Sequence, residues 1–156
     1  MKKIGIVFLM LMGVLGCKTS SSQKLDTKAE VALKGNWVIT SVTYPGSDVI
    51  KVTSFEIADS QCFVGSTWKL VSNNNKGEMA LTRSGCPSFA SPLTWYVNQE
   101  GNFVMKVLGA DVKAKRVREG YVLKVANSSE NRFQLVDRIN VGGNSAEVVY
   151  QFERTK

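Results

Sequence analysis

The side chains best suited to covalent chemistry in this sequence are three cysteines, Cys17, Cys62 and Cys86, because the chain contains no histidine. Without an imidazole, Ser-His-Asp and Cys-His nucleophilic sites, histidine general bases and the usual zinc hydrolase sites are excluded. Carboxylate catalysis would need an acidic pair, for example Glu56 and Asp59, to converge in a cleft. We expect both of these residues in turns or on the surface. The sequence therefore predicts a protein that is not an enzyme and has no cofactor or metal site.

Cys17 follows an N-terminal leader. Lys2 and Lys3 precede an apolar run, residues 4–13, that is too short to span a bilayer as a permanent helix. The next residues, Val14-Leu-Gly-Cys17, resemble a bacterial lipobox, in which the cysteine thiol receives a diacylglycerol and cleavage falls before it. We therefore predict a lipoprotein signal peptide over residues 1–16 and lipidation of Cys17, with palmitate-like acyl chains. The alternative is an ordinary signal peptide or apolar anchor with an incidental cysteine.

The lipid anchor would place the protein in the cell envelope, with the membrane as its first partner. Each buried acyl methylene contributes about 0.8 kcal/mol to membrane attachment. Lys18, directly after the anchor, is compatible with sorting to the outer membrane. Loss of the leader lowers the formal charge from +7 to +5, and nucleic acid is not expected as a partner of an exported protein. The densest positive charge, Lys113 to Arg118, is either a solvated loop or a contact for acidic lipids or glycans.

Cys62 and Cys86 remain as an even pair once Cys17 carries the lipid. An exported chain meets an oxidising compartment, so a disulfide between them is the natural assignment. The bridge would close a loop of about 25 residues and stabilise the fold by roughly 3 kcal/mol in the chain-entropy model. A pair of free or metal-binding thiols is the alternative at this point.

The elements that must position these residues belong to one domain. Residues 17–28 are polar and serine-rich, which is typical of a flexible tether, and the domain is predicted over residues 29–156. The 140 residues left after cleavage are enough for one hydrophobic core. A short helix is expected from Asp26 to Lys34. Its apolar side would consist of Ala29, Ala32 and Leu33.

From Trp37 to Arg154 the chain consists of eight or nine short runs of alternating apolar and polar residues, separated by Asn- and Gly-containing turns. An antiparallel meander of this kind can stack as a sandwich or close as a barrel, and closure alone removes exposed edges. We therefore predict an all-β fold, with the sandwich and the closed barrel both open at this point. The interior of an eight-stranded barrel would be filled by side chains or would hold one small ligand. The weak run from Val49 to Ile57 is predicted as the second strand.

Three segments resemble the lipocalins, and in particular the lipocalin-like lipoproteins of Bacteroidetes-type bacteria. They are Gly35-Asn-Trp37 at the first strand, the cysteine-flanked hairpin from Cys62 to Cys86, and the aromatic final strand Val149–Arg154. The resemblance covers residues 33–155. It implies a single eight-stranded up-and-down antiparallel barrel. It also implies that Trp37 plugs the closed end of this barrel and that Arg154 stacks over it, a cation–π contact worth about 1 kcal/mol. Gly35 would let the chain turn tightly before the plug.

The same resemblance implies a membrane-anchored binding protein for a small hydrophobic or amphipathic ligand of the lipid or fatty-acid class. A monomer is expected. Affinity would come from apolar burial, with a few polar groups fixing the orientation of the ligand. The candidate residues of the cavity wall are Trp68, Trp95, Phe103, Met105 and Tyr121. Core packing explains each of them equally well.

The alternative function belongs to another class, a surface interaction or inhibitor lipoprotein that binds a protein or a glycan. Such a domain would have a filled barrel and no cavity. A carrier, in contrast, needs an enclosed apolar volume of about 300 Å³ or more. The packing of the barrel interior therefore distinguishes the two hypotheses.

Overall fold

The computed structural model describes residues 27–47, 51–109 and 120–156. The leader, Cys17, most of the tether and the basic run from Lys113 to Arg118 lie outside these described residues. The elements, in chain order, are α1 (Thr27–Leu33), β1 (Gly35–Thr43), β2 (Thr53–Ser54), β3 (Ala58–Asp59), a 3-10 helix (Ser60–Phe63), β4 (Thr67–Val71), β5 (Lys76–Leu81), β6 (Phe89–Val97), β7 (Asn102–Val107), β8 (Tyr121–Ala126), β9 (Arg132–Val141) and β10 (Asn144–Arg154). In the described ranges no helix has the length and apolar character needed to cross a bilayer.

Eight of these strands close an antiparallel barrel in the order β1-β10-β9-β8-β7-β6-β5-β4, and β4 pairs with β1 to complete the ring. From β4 to β10 each strand pairs with the next one in the sequence, as in an up-and-down meander. The predicted all-β, eight-stranded barrel is confirmed. Closure satisfies the backbone donors and acceptors that an open sheet would leave at its edges.

The barrel interior is filled by the alternate side chains of its strands, as a period of two requires. The rings of Phe133 and Phe152 stack with centroids 4.5 Å apart, and Trp37 meets Phe133 edge-on at 4.7 Å. The largest fully buried side chains are Trp37, Trp95, Tyr150, Phe63, Phe103, Phe133, Phe152, Leu33, Ile39, Leu93, Met105 and Leu123. A core of this density tolerates little change in volume.

The end of the barrel next to α1 is closed. The indole Nε1 of Trp37 donates a hydrogen bond of 2.9 Å to the carbonyl of Leu33, and the guanidinium of Arg154 lies 4.2 Å from the ring centroid. Gly35 has a φ of +136°, and a Cβ at this position would overlap the Arg154 guanidinium. Arg154 therefore stacks on Trp37, the contact that the lipocalin resemblance implied.

The inner side of α1 differs from the predicted one. Ala32 is exposed, and the buried residues of the helix are Glu30 and Leu33. The Glu30 carboxylate accepts a hydrogen bond of 3.1 Å from the backbone N–H of Val97, at the end of β6. An acidic side chain can be buried there because it caps a strand amide of the barrel.

The prediction of a barrel strand over residues 49–57 is wrong. Residues 48–50 are outside the described ranges, and the residues that follow form a separate two-stranded hairpin, β2-β3, which does not pair with the barrel. Residues 60–63 form the 3-10 helix, and the next strand, β4, begins at Thr67. The Asp59 carboxylate caps this helix by accepting a hydrogen bond of 2.9 Å from the backbone N–H of Gln61.

Candidate binding site

The end of the barrel opposite α1, which we call the mouth, is where β7 and β9 end and β8 and β10 begin. β1 ends there too, and the chain between β1 and β4 contains the β2-β3 hairpin and the 3-10 helix. A disulfide joins Cys62 of the 3-10 helix to Cys86 in the β5-β6 connection. It is the bridge that the sequence predicted, and it ties the segment that follows the hairpin to the barrel.

Phe55, at the tip of the β2-β3 hairpin, occupies the mouth. Its ring centroid lies 5.1 Å from that of Tyr121 on β8, 5.3 Å from that of Phe63 and 5.5 Å from that of Tyr150 on β10. Only 7% of Phe55 remains exposed. One aromatic side chain from a hairpin outside the barrel therefore fills an aromatic recess inside the mouth.

The turn that carries Phe55 has an unfavourable backbone. Phe55 and Glu56 have φ values of 54° and 57°. The backbone N–H of Ile57 donates a hydrogen bond of 3.0 Å to the carbonyl of Ser54. Positive φ at both central residues is the geometry of a type I′ turn, which strongly favours Asn-Gly. Each residue with a Cβ costs about 1–2 kcal/mol in this region. Burial of the Phe55 ring contributes about 1.5–3 kcal/mol, so the two effects are of similar size.

Polar groups lie beside this aromatic recess. The hydroxyls of Ser54 and Tyr150 form a buried hydrogen bond of 2.5 Å, and Tyr44 bonds to Ser60 at the base of the hairpin. Burial, above all, raises the pKa of Tyr150, and the Asp137 carboxylate raises it further against the effect of the Ser54 bond. The Tyr150 hydroxyl is therefore a protonated, buried group that needs a hydrogen-bond partner.

Asp137 faces the same side of the sheet as Tyr150. In the β9-β10 register Leu135 pairs with Tyr150 and Asp137 pairs with Val148, so Asp137 is the diagonal neighbour of Tyr150. Burial raises the pKa of Asp137, and a hydrogen bond from the backbone N–H of Arg138 acts in the opposite direction. A partly buried carboxylate thus lies near the recess, and it would attract a cationic group and repel an anionic one.

The five predicted cavity residues do not form one open site. Trp68, Trp95, Phe103 and Met105 are 0–3% exposed, and the rings of Trp95 and Phe103 stack at 5.4 Å. Both indole N–H groups are satisfied within the protein, by the Lys76 carbonyl for Trp95 and by the Ser66 hydroxyl for Trp68. These four side chains act as packed core, and Trp68 also borders a groove on the outer wall of the barrel. Tyr121 differs, because it is half-buried and borders the mouth.

A second concave region lies on the outer wall of the barrel. It is a groove of about 570 Å³ across β1, β4, β5 and β6, adjoined by another of about 520 Å³ that shares Lys69, Glu78 and Pro92. The strand register places its outward residues in two rows: Asn36, Lys69, Glu78 and Pro92, then Thr67, Ala80 and Ala90. The groove is open to solvent and mixes charged with small apolar side chains.

Glu56 and Asp59, the acidic pair considered for catalysis, lie at the hairpin turn and at the start of the 3-10 helix. Glu56 is exposed at the hairpin turn and Asp59 caps the 3-10 helix, so each of these carboxylates has a structural setting of its own. Among the described residues, no group of three or more Cys, Asp or Glu side chains is placed to hold a metal ion.

Tyr121 was predicted from the sequence, but two other residues near the mouth, Phe55 and Asp137, were missed for different reasons. Phe55-Glu56 lacks the Asn or Gly that signals a hairpin turn, so it was included in a strand. Asp137 could have been identified from the sequence. It lies two and four residues after Leu135 and Phe133, so it belongs to the same face of β9 as these two buried residues. An acidic residue in a core-facing position of a strand indicates either a buried pair or a binding site.

No family model and no curated protein matches the chain. Solved structures do match it. One match is bovine odorant binding protein in complex with a selenium-containing odorant, with 11% identity and a TM-score of 0.44 over 81% of this chain and 73% of that chain. Another is the same bovine protein with its natural ligand, with 12% identity and a TM-score of 0.44 over 80% and 72%. Both of these chains are lipocalins with an eight-stranded barrel.

Proposed function

We propose that this domain binds a small apolar or amphipathic molecule at the mouth of the barrel. The observation that carries the proposal is the aromatic recess of Phe63, Tyr121 and Tyr150, which is covered by a hairpin and not by a barrel strand. The buried Ser54–Tyr150 hydrogen bond supplies the kind of polar group that fixes a ligand's orientation. Lipids and fatty acids are the ligand class that the sequence resemblance suggests.

The test is a titration of the isotope-labelled full chain with decanoate, decanol and benzyl alcohol, followed by ¹H-¹⁵N NMR. We expect saturable shifts at the amides of Phe55, Tyr121 and Tyr150 with at least one compound, because these residues surround the recess. The amide of Val31, whose side chain is 53% exposed on α1 at the opposite end of the barrel, serves as the internal control. No saturable shift at the mouth with any of the three compounds would contradict the proposal.

The buried interior of the barrel, which meets the criterion for a domain without a cavity, and the outer groove together favour a second candidate, the surface interaction domain. Its length across four strands suits an extended peptide or glycan chain better than a small molecule. In a titration of the same labelled chain with a short extended peptide or an oligosaccharide, saturable shifts confined to Thr67, Lys69 and Ala80 would support this candidate against the mouth.

We further propose that acyl chains on Cys17 hold the domain in the cell envelope, at the outer membrane. The support is the leader and its Val14-Leu-Gly-Cys17 motif. In a bacterial host fed with alkyne-labelled palmitate, the wild-type chain is expected to carry the label and to sediment with membranes. The Cys17→Ser variant should lose both properties, whereas a Ser22→Ala variant in the same tether should keep them. Labelling of Cys17→Ser at the wild-type level would disprove the acylation site.

A further inference from the structure

The β2-β3 hairpin is attached to the barrel mainly through the side chains that enter the mouth. Each of its strands has two residues, and they pair with one another and not with the barrel. Phe55 contributes the ring contacts, and Ser54 contributes the hydrogen bond to Tyr150. Withdrawal of the hairpin would break these contacts and the apolar packing of Val52, Ile57 and Ala58 against the core, and it would open the aromatic recess.

We propose that Phe55 is an internal substitute for the ligand, which displaces it and presents a ring-sized apolar group together with an alcohol or amine. This inference rests on the function proposed above and specifies its ligand. The apolar group would contact Phe63, Tyr121 and Tyr150, as the Phe55 ring does. The polar group would take the place of the Ser54 hydroxyl at Tyr150.

The size of the apolar group follows from the packing below the recess. Trp95, Phe103 and Met105 are at most 1% exposed, so no free space continues into the barrel from their side. The space that becomes available is that of one phenylalanine side chain, and apolar protein cavities of about this size bind benzene. A long acyl chain would need the core itself to rearrange, which close packing opposes, so the ligand inferred here is a small ring compound and not the lipid or fatty acid that the sequence resemblance suggests.

The chemistry of the ligand's polar group follows from the residues that remain in the recess when the hairpin withdraws. Without Ser54, the buried Tyr150 hydroxyl would lack its partner, which is unfavourable unless the ligand replaces it. Asp137 lies diagonally across the register on the same face. A hydroxyl or ammonium group satisfies both residues, whereas a carboxylate would be repelled by Asp137.

Three probes with the same ring test the choice of polar group: benzyl alcohol, benzylamine and benzoate. In NMR titrations of the wild-type full chain at pH 7, we expect the alcohol and the amine to bind about tenfold or more tightly than benzoate. In the Asp137→Asn variant the preference for benzylamine over benzoate should fall to about threefold or less, because the nearby charge is gone. Equal binding of all three probes to the wild type would overturn the assignment of the polar group.

Two hairpin variants with opposite expected effects test the displacement of Phe55. Phe55→Ala leaves the recess empty, so benzyl alcohol should bind about tenfold more tightly. Glu56→Gly relaxes the left-handed turn and stabilises the closed hairpin, so the same probe should bind about two- to fivefold more weakly. Thr53→Ala, at an exposed position of the same hairpin, should change the affinity by less than about twofold.

Each outcome is informative. A cavity created by chance in Phe55→Ala would not account for weaker binding in Glu56→Gly, because the Glu56 side chain is exposed and lies outside the recess. If the wild type binds the probes at the mouth but Phe55→Ala does not bind more tightly, displacement is disproved and the proposed function stands. If no variant binds any probe or decanol, both are disproved. Should Phe55→Ala fail to fold by near-UV circular dichroism, the sign of the Glu56→Gly effect decides.

Discussion

Replacement of Trp37 by alanine is expected to lower the free energy of unfolding by about 3–5 kcal/mol, the range for deletion of a large buried aromatic side chain. Trp37 is 1% exposed and lies under the guanidinium of Arg154. The variant would lose the edge-on contact with Phe133 and the hydrogen bond that joins β1 to the carbonyl of Leu33. Urea unfolding followed by far-UV circular dichroism measures the loss independently of indole fluorescence.

Two controls define the origin of this effect. Trp37→Phe keeps an aromatic ring beneath Arg154 but removes the N–H donor, so we expect a smaller loss of about 1–2 kcal/mol. Val122→Ala, at a 57% exposed position, should change stability by less than about 0.5 kcal/mol. If Trp37→Ala were as stable as the wild type, the closed end would not be the anchor of the barrel.

The parts of the fold that the sequence predicted are those in which local alternation and packing agree. Leu93, Trp95 and Val97 share the parity that puts them inside β6, and all three are buried. The turns after β4 and β6 contain the Asn and Gly residues from which they were predicted. A period of two is a strong signal where one face of a strand lies in the core.

A β-bulge shows why alternation alone was insufficient in β1. The pairing with β10 shifts between Ile39 and Ser41, so Thr40 is the extra residue. Uninterrupted alternation places Val42 on the face opposite Trp37, yet both are buried. A bulge inserts one residue and reverses the parity beyond it. Neither Thr40 nor its neighbours carry a sequence signal for this change.

The candidate site was less predictable than the barrel, because it depends on contacts distant in sequence. Ser54 meets Tyr150 across 96 positions, and Phe55 meets Tyr121 through the same hairpin. The residue types alone were equally consistent with an aromatic core, and Trp68 and Trp95 are buried in that core. Tyr121 is the one predicted ligand residue that the fold brings to the mouth, by its place at the start of β8.

Removal of the Cys62–Cys86 disulfide is expected to lower the free energy of unfolding by about 3 kcal/mol. The bridged residues are 24 positions apart, so the bridge restricts the unfolded chain over the whole β4-β5 hairpin. Urea unfolding of the Cys62→Ser/Cys86→Ser variant measures the effect. Cys17→Ser should unfold like the wild type, which separates the bridge from the predicted acylation site.

The location of the bridge makes its effect on the mouth as informative as its effect on global stability. The Arg83 guanidinium donates a hydrogen bond of 2.7 Å to the Gln61 carbonyl, and the Thr82 hydroxyl donates one of 2.9 Å to the Gly65 carbonyl. These hydrogen bonds also hold the segment around the 3-10 helix. Without the bridge, we expect faster amide hydrogen exchange first at residues 53–63, because Cys62 lies in this segment and the β2-β3 hairpin does not pair with the barrel. Equal loss of protection in β9 and β10 would instead mean that the bridge acts on the unfolded chain alone. A stability loss near 3 kcal/mol together with early exchange at residues 53–63 would show that the disulfide restrains the segment that carries Phe55 and so holds Phe55 in the recess.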